Sequence, residues 1–274
     1  MGRSIESMSY NELIGLVRET NRPPGGMVSL QVLAQRLHLN PAKKVLEIGC
    51  ATGWTALELG QLTGCSVYAI DINSDSIAEA RQRAENRGLP NVEFHVADAA
   101  KVPLPDGWAD VVFCGNVTAL VSDPKRVIAE YKRILKPGGF LVAIPMYYRK
   151  TPSDQLVAAV REAIQVNIPV LYRDSALEFY GSFGLDTFES HDFAFDERSE
   201  DDVDAFVRTI LKRPHLGALS PAEQEDLAST YRRHMQLFRE NLAIMGYTVL
   251  LLRKPFGDED PELFTAKQVL EPAL

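Results

Sequence analysis

Cysteine, positive charge and long apolar runs are all scarce in this chain, and each shortage excludes something. The three cysteines, Cys50, Cys65 and Cys114, are odd in number, far apart and embedded in apolar runs. A disulfide framework or thiolate metal site needs closely spaced pairs, so buried free thiols in a reducing compartment are expected instead. No stretch approaches the roughly 20 apolar residues that a membrane helix needs. The opening Met1-Gly2-Arg3-Ser4-Ile5-Glu6-Ser7 lacks the apolar core of a signal peptide, and Gly2 with Ser7 misses the myristoylation spacing. A cytoplasmic location and no membrane partner follow as expectations. The net charge of −8 argues against general attraction to phosphate backbones, so no nucleic-acid partner is expected. His191, His215 and His234 lack metal-ligand spacing, and no metal is expected. His95, inside a short apolar segment, reads as a packed histidine.

What remains is ordinary for a globular protein: 274 residues, 46% hydrophobic and 24% charged, enough to bury a core. Ser9 caps a helix over residues 9–19, whose Leu13, Ile14 and Val17 share one face. Asn21-Arg22-Pro23-Pro24-Gly25-Gly26 breaks the chain before a second helix over 27–37. A regular alternation follows. Strands are expected at 44–48, 66–70, 92–96, 109–114 and 140–144, with helices at 54–62, from about 74 to Gly88, and at 124–135. Lys136-Pro137-Gly138-Gly139 reads as the turn into the fifth strand. Such alternation predicts a parallel sheet covered on both faces, with ligands bound beyond the strand C-termini. The second half is less regular: helices near 153–165 and 175–182, a strand at 185–193, a polar helical segment over 196–241, a last strand at 247–252 and a peripheral tail over 256–274.

Four features of the first half carry chemistry. The segment Glu47-Ile48-Gly49-Cys50-Ala51-Thr52-Gly53 lies where the first strand turns into the first helix. Glycines there allow close backbone approach, and the acid two positions before Gly49 departs from the dinucleotide-binding fingerprint. Asp71 ends strand two, where a carboxylate can accept both hydrogen bonds of a ribose diol; it can also cap the following helix. Asp98, after strand three, suits an amine donor such as that of adenine, or is a turn carboxylate. The fourth feature is Leu135-Lys136-Pro137-Gly138-Gly139.

Together these motifs resemble those of class I S-adenosylmethionine (SAM)-dependent methyltransferases, in the small-molecule branch similar to ubiquinone-biosynthesis enzymes. The match covers residues 44–145. The resemblance implies a Rossmann-like α/β fold with a seven-stranded, mostly parallel sheet and helices on both faces. An N-terminal helical lid (1–40) would precede the methyltransferase domain (41–255), with a helical insertion (196–241) before the last strand. It implies SAM as cofactor and S-adenosylhomocysteine as product. Gly49, Cys50, Ala51 and Gly53 would pack on the methionine part, with Glu47 ordering that turn or reaching the amino group. Asp71 would hold the ribose, Ile72 would pack on adenine, and Asp98 with Ala99 would meet the adenine edge. Asn116 and Val117 would line the transfer site, although Asn116 can also be a helix N-terminal residue only. Ala51 stands where the family usually has glycine.

No histidine or carboxylate occurs in Cys114-Gly115-Asn116-Val117-Thr118-Ala119-Leu120-Val121. The Asn/Asp-Pro-Pro-Tyr/Phe signature of base methylation is missing, as are the carboxylates of metal-dependent O-methylation. The catalytic candidates are Tyr147, Tyr148 and Asn116. Tyr148 and Arg149, in the segment after strand five, and Tyr10 and Gly26, in the lid, are the acceptor-site candidates. Three functional readings remain: methylation of a small molecule, methylation of a peptide or protein, and SAM binding without transfer. Self-association is left open.

Overall fold

The computed structural model describes residues 4–257. Eight strands form one sheet: β1 (Lys44–Ile48), β2 (Ser66–Asp71), β3 (Val92–Val96), β4 (Ala109–Cys114), β5 (Leu135–Ala143), β6 (Met146–Tyr148), β7 (Asp186–Ala194) and β8 (Met245–Arg253). The order is β3-β2-β1-β4-β5-β8, with β6 and β7 also paired to β8. Strands β1 to β5 pair in parallel. Strand β8 runs antiparallel to β5, β6 and β7. Strand order therefore reverses between β1 and β4, and the C-terminal ends of β1, β2 and β4 lie side by side.

Nine helices accompany the sheet among the described residues. They are α1 (Tyr10–Val17), α2 (Gly26–Arg36), α3 (Trp54–Thr63), α4 (Ser74–Arg87), α5 (Pro124–Ile134), α6 (Asp154–Ile164), α7 (Arg173–Gly181), α8 (Glu200–Leu211) and α9 (Pro221–Leu242). Their starts are written locally. Ser9, Ser199 and Ser220 each form a reciprocal capping box with the acid three residues on, and Asn73 and Asp123 cap α4 and α5. Each such cap is worth about 1 kcal/mol.

Side chains alternate across the strands, which splits the core into two layers. On one face Val45, Val67, Val111, Val142 and Val249 meet α2, α3 and α4 through Leu30, Leu33, Leu57 and Ile77. On the other, Leu46, Ile70, Val112, Leu141 and Leu250 meet α5 and α7 through Ile128, Tyr131 and Tyr180. A third, separate core joins Ile5, Leu13 and Val17 to Val207, Ile210, Leu227 and Tyr231 of the insertion. The two N-terminal helices therefore go to different places: α2 onto the sheet, α1 into the insertion.

Three expectations are corrected. The sheet has eight strands rather than seven, because the fifth strand is interrupted at Ile144-Pro145. Proline has no N–H to donate, and the Pro145 carbonyl accepts from Thr248 N at 3.1 Å across the break. Beyond it the chain pairs with β8 again, so Tyr147 and Tyr148 lie in strand β6 and not in a loop. The Lys136-Pro137-Gly138-Gly139 segment is not a free turn either. It belongs to β5, which shifts register against β4 there, and Gly138 N donates to Lys254 O at 2.8 Å. The expected 256–274 tail lies, beyond residue 257, outside the described residues.

Candidate cofactor site and its cover

Between β1 and α3 the backbone turns left-handed three times within five residues: Gly49 (φ 69°), Ala51 (φ 45°) and Gly53 (φ 84°). Gly49 N and Cys50 N both donate to Ile70 O, at 2.8 and 3.0 Å, which pins the turn to β2. A Cβ at Gly49 would stand 2.1 Å from Val117 Cγ2, and one at Gly53 2.7 Å from the Phe94 ring. The glycines are thus required by close approach as well as by φ. At Ala51 the departure from glycine costs backbone strain of about 1 kcal/mol rather than space.

Asp71 reaches back under this turn. Its Oδ2 accepts from Ala51 N and its Oδ1 from Asn73 N, each at 2.9 Å. Asn73, not Asp71, caps α4. Each Asp71 oxygen keeps a lone pair for a further donor. Ile72, next in the chain, is 78% exposed, an unusual state for isoleucine beside a core. Asp98 is exposed and closes a small turn, its Oδ1 accepting from Ala100 N at 2.8 Å, while Ala99 is buried. Asn116 occupies the position before a short 3-10 turn (Val117–Ala119) but makes no side-chain cap bond. Its Oδ1 instead accepts from Met146 N at 3.4 Å, tying the end of β4 to β6.

Glu47 is the most informative side chain. It is buried, with hydrogen bonds from the Thr55 side chain and the Ala56 backbone. Burial, countered in part by those bonds, pushes its carboxyl up to about 8. Its Oε2 has no partner; among the described residues only it and His234 Nδ1 are buried side-chain N or O atoms in that condition. An orphaned buried polar atom costs about 1–3 kcal/mol, so a donor from a ligand belongs there. The ammonium of SAM is such a donor. With a diol acceptor at Asp71 and an apolar platform at Ile72, the residues present fit the cofactor. Cys50 is buried, and burial together with the charges of Glu47 and Asp71 pushes its thiol well up, which makes it inert.

Residues that sequence patterns did not single out, Glu19, Arg83 and Tyr231 among them, meet over this turn. Thr52, wholly buried, donates through Oγ1 to Glu19 O at 2.6 Å. Arg83 of α4 donates to Thr52 Oγ1 at 2.9 Å and to Arg18 O at 2.7 Å. Arg22 stacks over the Trp54 ring at 5.3 Å, and Pro23 packs beside Gly115 at the end of β4. The Glu19 carboxyl is itself buried and receives the Tyr231 hydroxyl of α9 at 2.5 Å. Burial pushes Glu19 up, opposed by the Tyr231 hydrogen bond and by Arg213. The signal for these residues is spatial only, since Glu19 and Tyr231 are 212 positions apart.

The acceptor-side candidates separate. Tyr10 packs its ring on Phe238 of α9 with centroids 4.6 Å apart. Tyr148 is buried and donates to Asn241 Oδ1 at 2.8 Å, so it too is bound to α9. Tyr147 points to the opposite face, where its hydroxyl donates to Asp192 Oδ1 at 3.2 Å within a network including Thr248 and Arg173. Arg149 is exposed, and Gly26 is the first residue of α2 with open space around it. His234 is buried on α9, and burial lowers its imidazole pKa. A cavity of about 390 Å³ lies within the insertion between Leu211 and Ala228 and contains none of the cofactor-turn residues.

Fold and site define an α/β protein with a left-handed turn after β1 and carboxylates at the ends of β1 and β2. The profile of a methyltransferase domain matches residues 46–143. An uncharacterized protein of Haemophilus influenzae is 30% identical over 190 residues, 67% of this chain and 75% of its own length. Phosphoethanolamine N-methyltransferase 3 of Arabidopsis thaliana is 29% identical over 248 residues, 89% of this chain, but this chain spans only 46% of that enzyme. Among solved structures, the (4+2)-cyclase SpnF superimposes with a TM-score of 0.68 at 21% identity, covering 94% of this chain and 98% of that one. The chain belongs to the class I SAM-dependent methyltransferases, and SAM is its cofactor. No helix among the described residues is long and apolar enough to cross a membrane.

Proposed function

We propose that the protein transfers the SAM methyl group to a small-molecule acceptor in the cytoplasm. The orphaned Glu47 Oε2 beside the left-handed turn, with Asp71 at the neighbouring strand end, is the observation that carries the cofactor half of this reading. The acceptor half rests on the cover: α1, α9 and the 18–26 segment close over the same sheet end, which suits a small enclosed acceptor better than a folded protein. The Arabidopsis relative, whose name assigns it a phosphoethanolamine substrate, supports a small polar acceptor. The three buried free cysteines accord with a reducing compartment.

Bound SAM supplies an already activated methyl on a sulfonium. The chain's own work is therefore to hold, align and dry the site. Glu47 and Asp71 would hold the cofactor's ammonium and ribose. Gly49 and Val117 set the wall between β1 and β4, and Asn116 holds β4 and β6 together beside it. The cover made by Glu19, Arg22 and Pro23 excludes water. No acid or base stands in the 114–121 segment, so an acceptor that arrives deprotonated, or ionises in water, meets what this wall offers.

Calorimetric titration with SAM and S-adenosylhomocysteine, then transfer of labelled methyl to pools of small molecules and of peptides, tests the proposal. Label in the small-molecule pool, undiminished by a chelator, is the expected result. Label in the peptide pool alone would overturn the acceptor class. Binding without transfer to either pool would favour the cofactor-binding reading.

A further inference from the structure

Three hydrogen bonds run in series from the expected ribose carboxylate to the insertion. Asp71 Oδ2 accepts from Ala51 N at 2.9 Å. The next residue, Thr52, donates from Oγ1 to the Glu19 carbonyl at 2.6 Å. The Glu19 carboxyl then accepts from Tyr231 at 2.5 Å. Arg18, in the left-handed region at φ 52°, ends α1 and reverses the chain, which lets Glu19 point its carbonyl and its carboxyl to different elements. Arg213, on the insertion, donates to Val17 O at 2.9 Å and faces the same carboxyl.

We propose that Glu19 is a positioning residue that couples the cofactor turn to helix α9, so that filling the cofactor site sets the cover over the acceptor side. This rests on the reading of SAM as cofactor. A merely structural role does not account for the arrangement. Leu13, Val17 and the Tyr231 ring already join α1 to α9 through an apolar core. A buried carboxyl added to that core costs desolvation that an apolar residue would not. What the carboxyl adds is direction: a single register of α9 against the turn that touches the cofactor. From Tyr231 the same helix face continues through Phe238 and Asn241 to Tyr10 and Tyr148, which places both acceptor-side tyrosines under its control.

Hydrogen exchange with and without S-adenosylhomocysteine tests the coupling without any acceptor. In the wild type, the ligand is expected to slow exchange in residues 18–26 and in α9. In Tyr231→Phe, affinity for S-adenosylhomocysteine is expected to fall about fivefold, the scale of one ordinary net hydrogen bond, and α9 no longer responds to the ligand. An unchanged affinity or an unchanged α9 response would overturn the proposal, even if thermal stability fell. If Tyr231→Phe does not fold, Glu19→Gln, which keeps an acceptor for Tyr231, should retain the α9 response and Glu19→Ala should lose it; equal behaviour of the two overturns the coupling. A wild type that binds no S-adenosylhomocysteine removes the cofactor reading itself, a distinct result.

Discussion

The half of the chain from β1 to β5 and the segments that cover it are built on different principles. In the first, each functional group sits at a strand end, and its position follows from the strand that carries it. Glu47, Asp71 and Asn116 are placed by β1, β2 and β4, and parallel pairing brings those ends together. In the cover, no residue is placed by its own element. Glu19 follows α1 in a reversal, Tyr231 is midway along α9, and they meet only because the third core forms. The site is therefore made of a rigid floor with local grammar and a roof whose geometry is a property of the whole fold. Floor and roof should respond to substitution differently.

The largest expected effect is on the floor. Asp71→Ala removes a ribose acceptor and also frees Ala51 N and Asn73 N, so SAM binding should weaken by about 1–3 kcal/mol in calorimetry. Parent-like affinity would mean the cofactor does not reach Asp71.

Proton linkage distinguishes the floor further. The Glu47 carboxyl lies near 8 in the folded protein against 4.5 as a free side chain. Its folded value is raised, so its contribution to stability is full below about 4.5 and is lost as pH rises toward about 8. A cofactor ammonium beside Oε2 favours the charged form. SAM binding near pH 7 should release a proton, and affinity should rise with pH up to about 8. Glu47→Gln should abolish that slope. Titration in buffers of differing ionisation enthalpy counts the proton; a count of zero would separate Glu47 from the ammonium.

On the roof, Tyr148→Phe leaves Asn241 Oδ1 without its buried donor. It should lower unfolding free energy by about 1–2 kcal/mol, while Arg149→Ala, exposed, should stay within about 0.5 kcal/mol. Urea melts of the pair check this, and equal losses would show that the buried bond carries no stability. The smallest effect returns to the floor. Ala51→Gly relieves the left-handed strain but adds unfolded-chain entropy, for a net gain of about 0.5 kcal/mol. A loss would show that the Ala51 methyl packs against something the turn needs.

Much of the floor was legible from residue patterns, because those patterns act locally. Apolar runs, Asn73 and the acids spaced between strands placed five parallel strands and the left-handed turn. Where local reading failed, a distant partner had intervened. The fifth strand was expected to stop at residue 144, but β8 captures the chain again beyond Pro145. Lys136-Pro137-Gly138-Gly139 reads as a turn until β4 and Lys254 hold it in β5. Asn116 had two readings from its neighbours alone; its side chain makes no cap bond and instead accepts from Met146 N, a partner 30 positions away.

By itself the sequence determined the alternation of strands and helices, the glycine-bearing turn after β1 and the carboxylates at the strand ends beside it. Periodicity, capping and glycine chemistry act over a few residues. Only the tertiary structure decided that Tyr148 of β6 bonds to Asn241 of α9, that Glu47 keeps an unpartnered oxygen, and that Glu19 bridges the turn to Tyr231. Burial and hydrogen-bond satisfaction are set by what folds against a residue, and across 212 positions no local pattern records the partner.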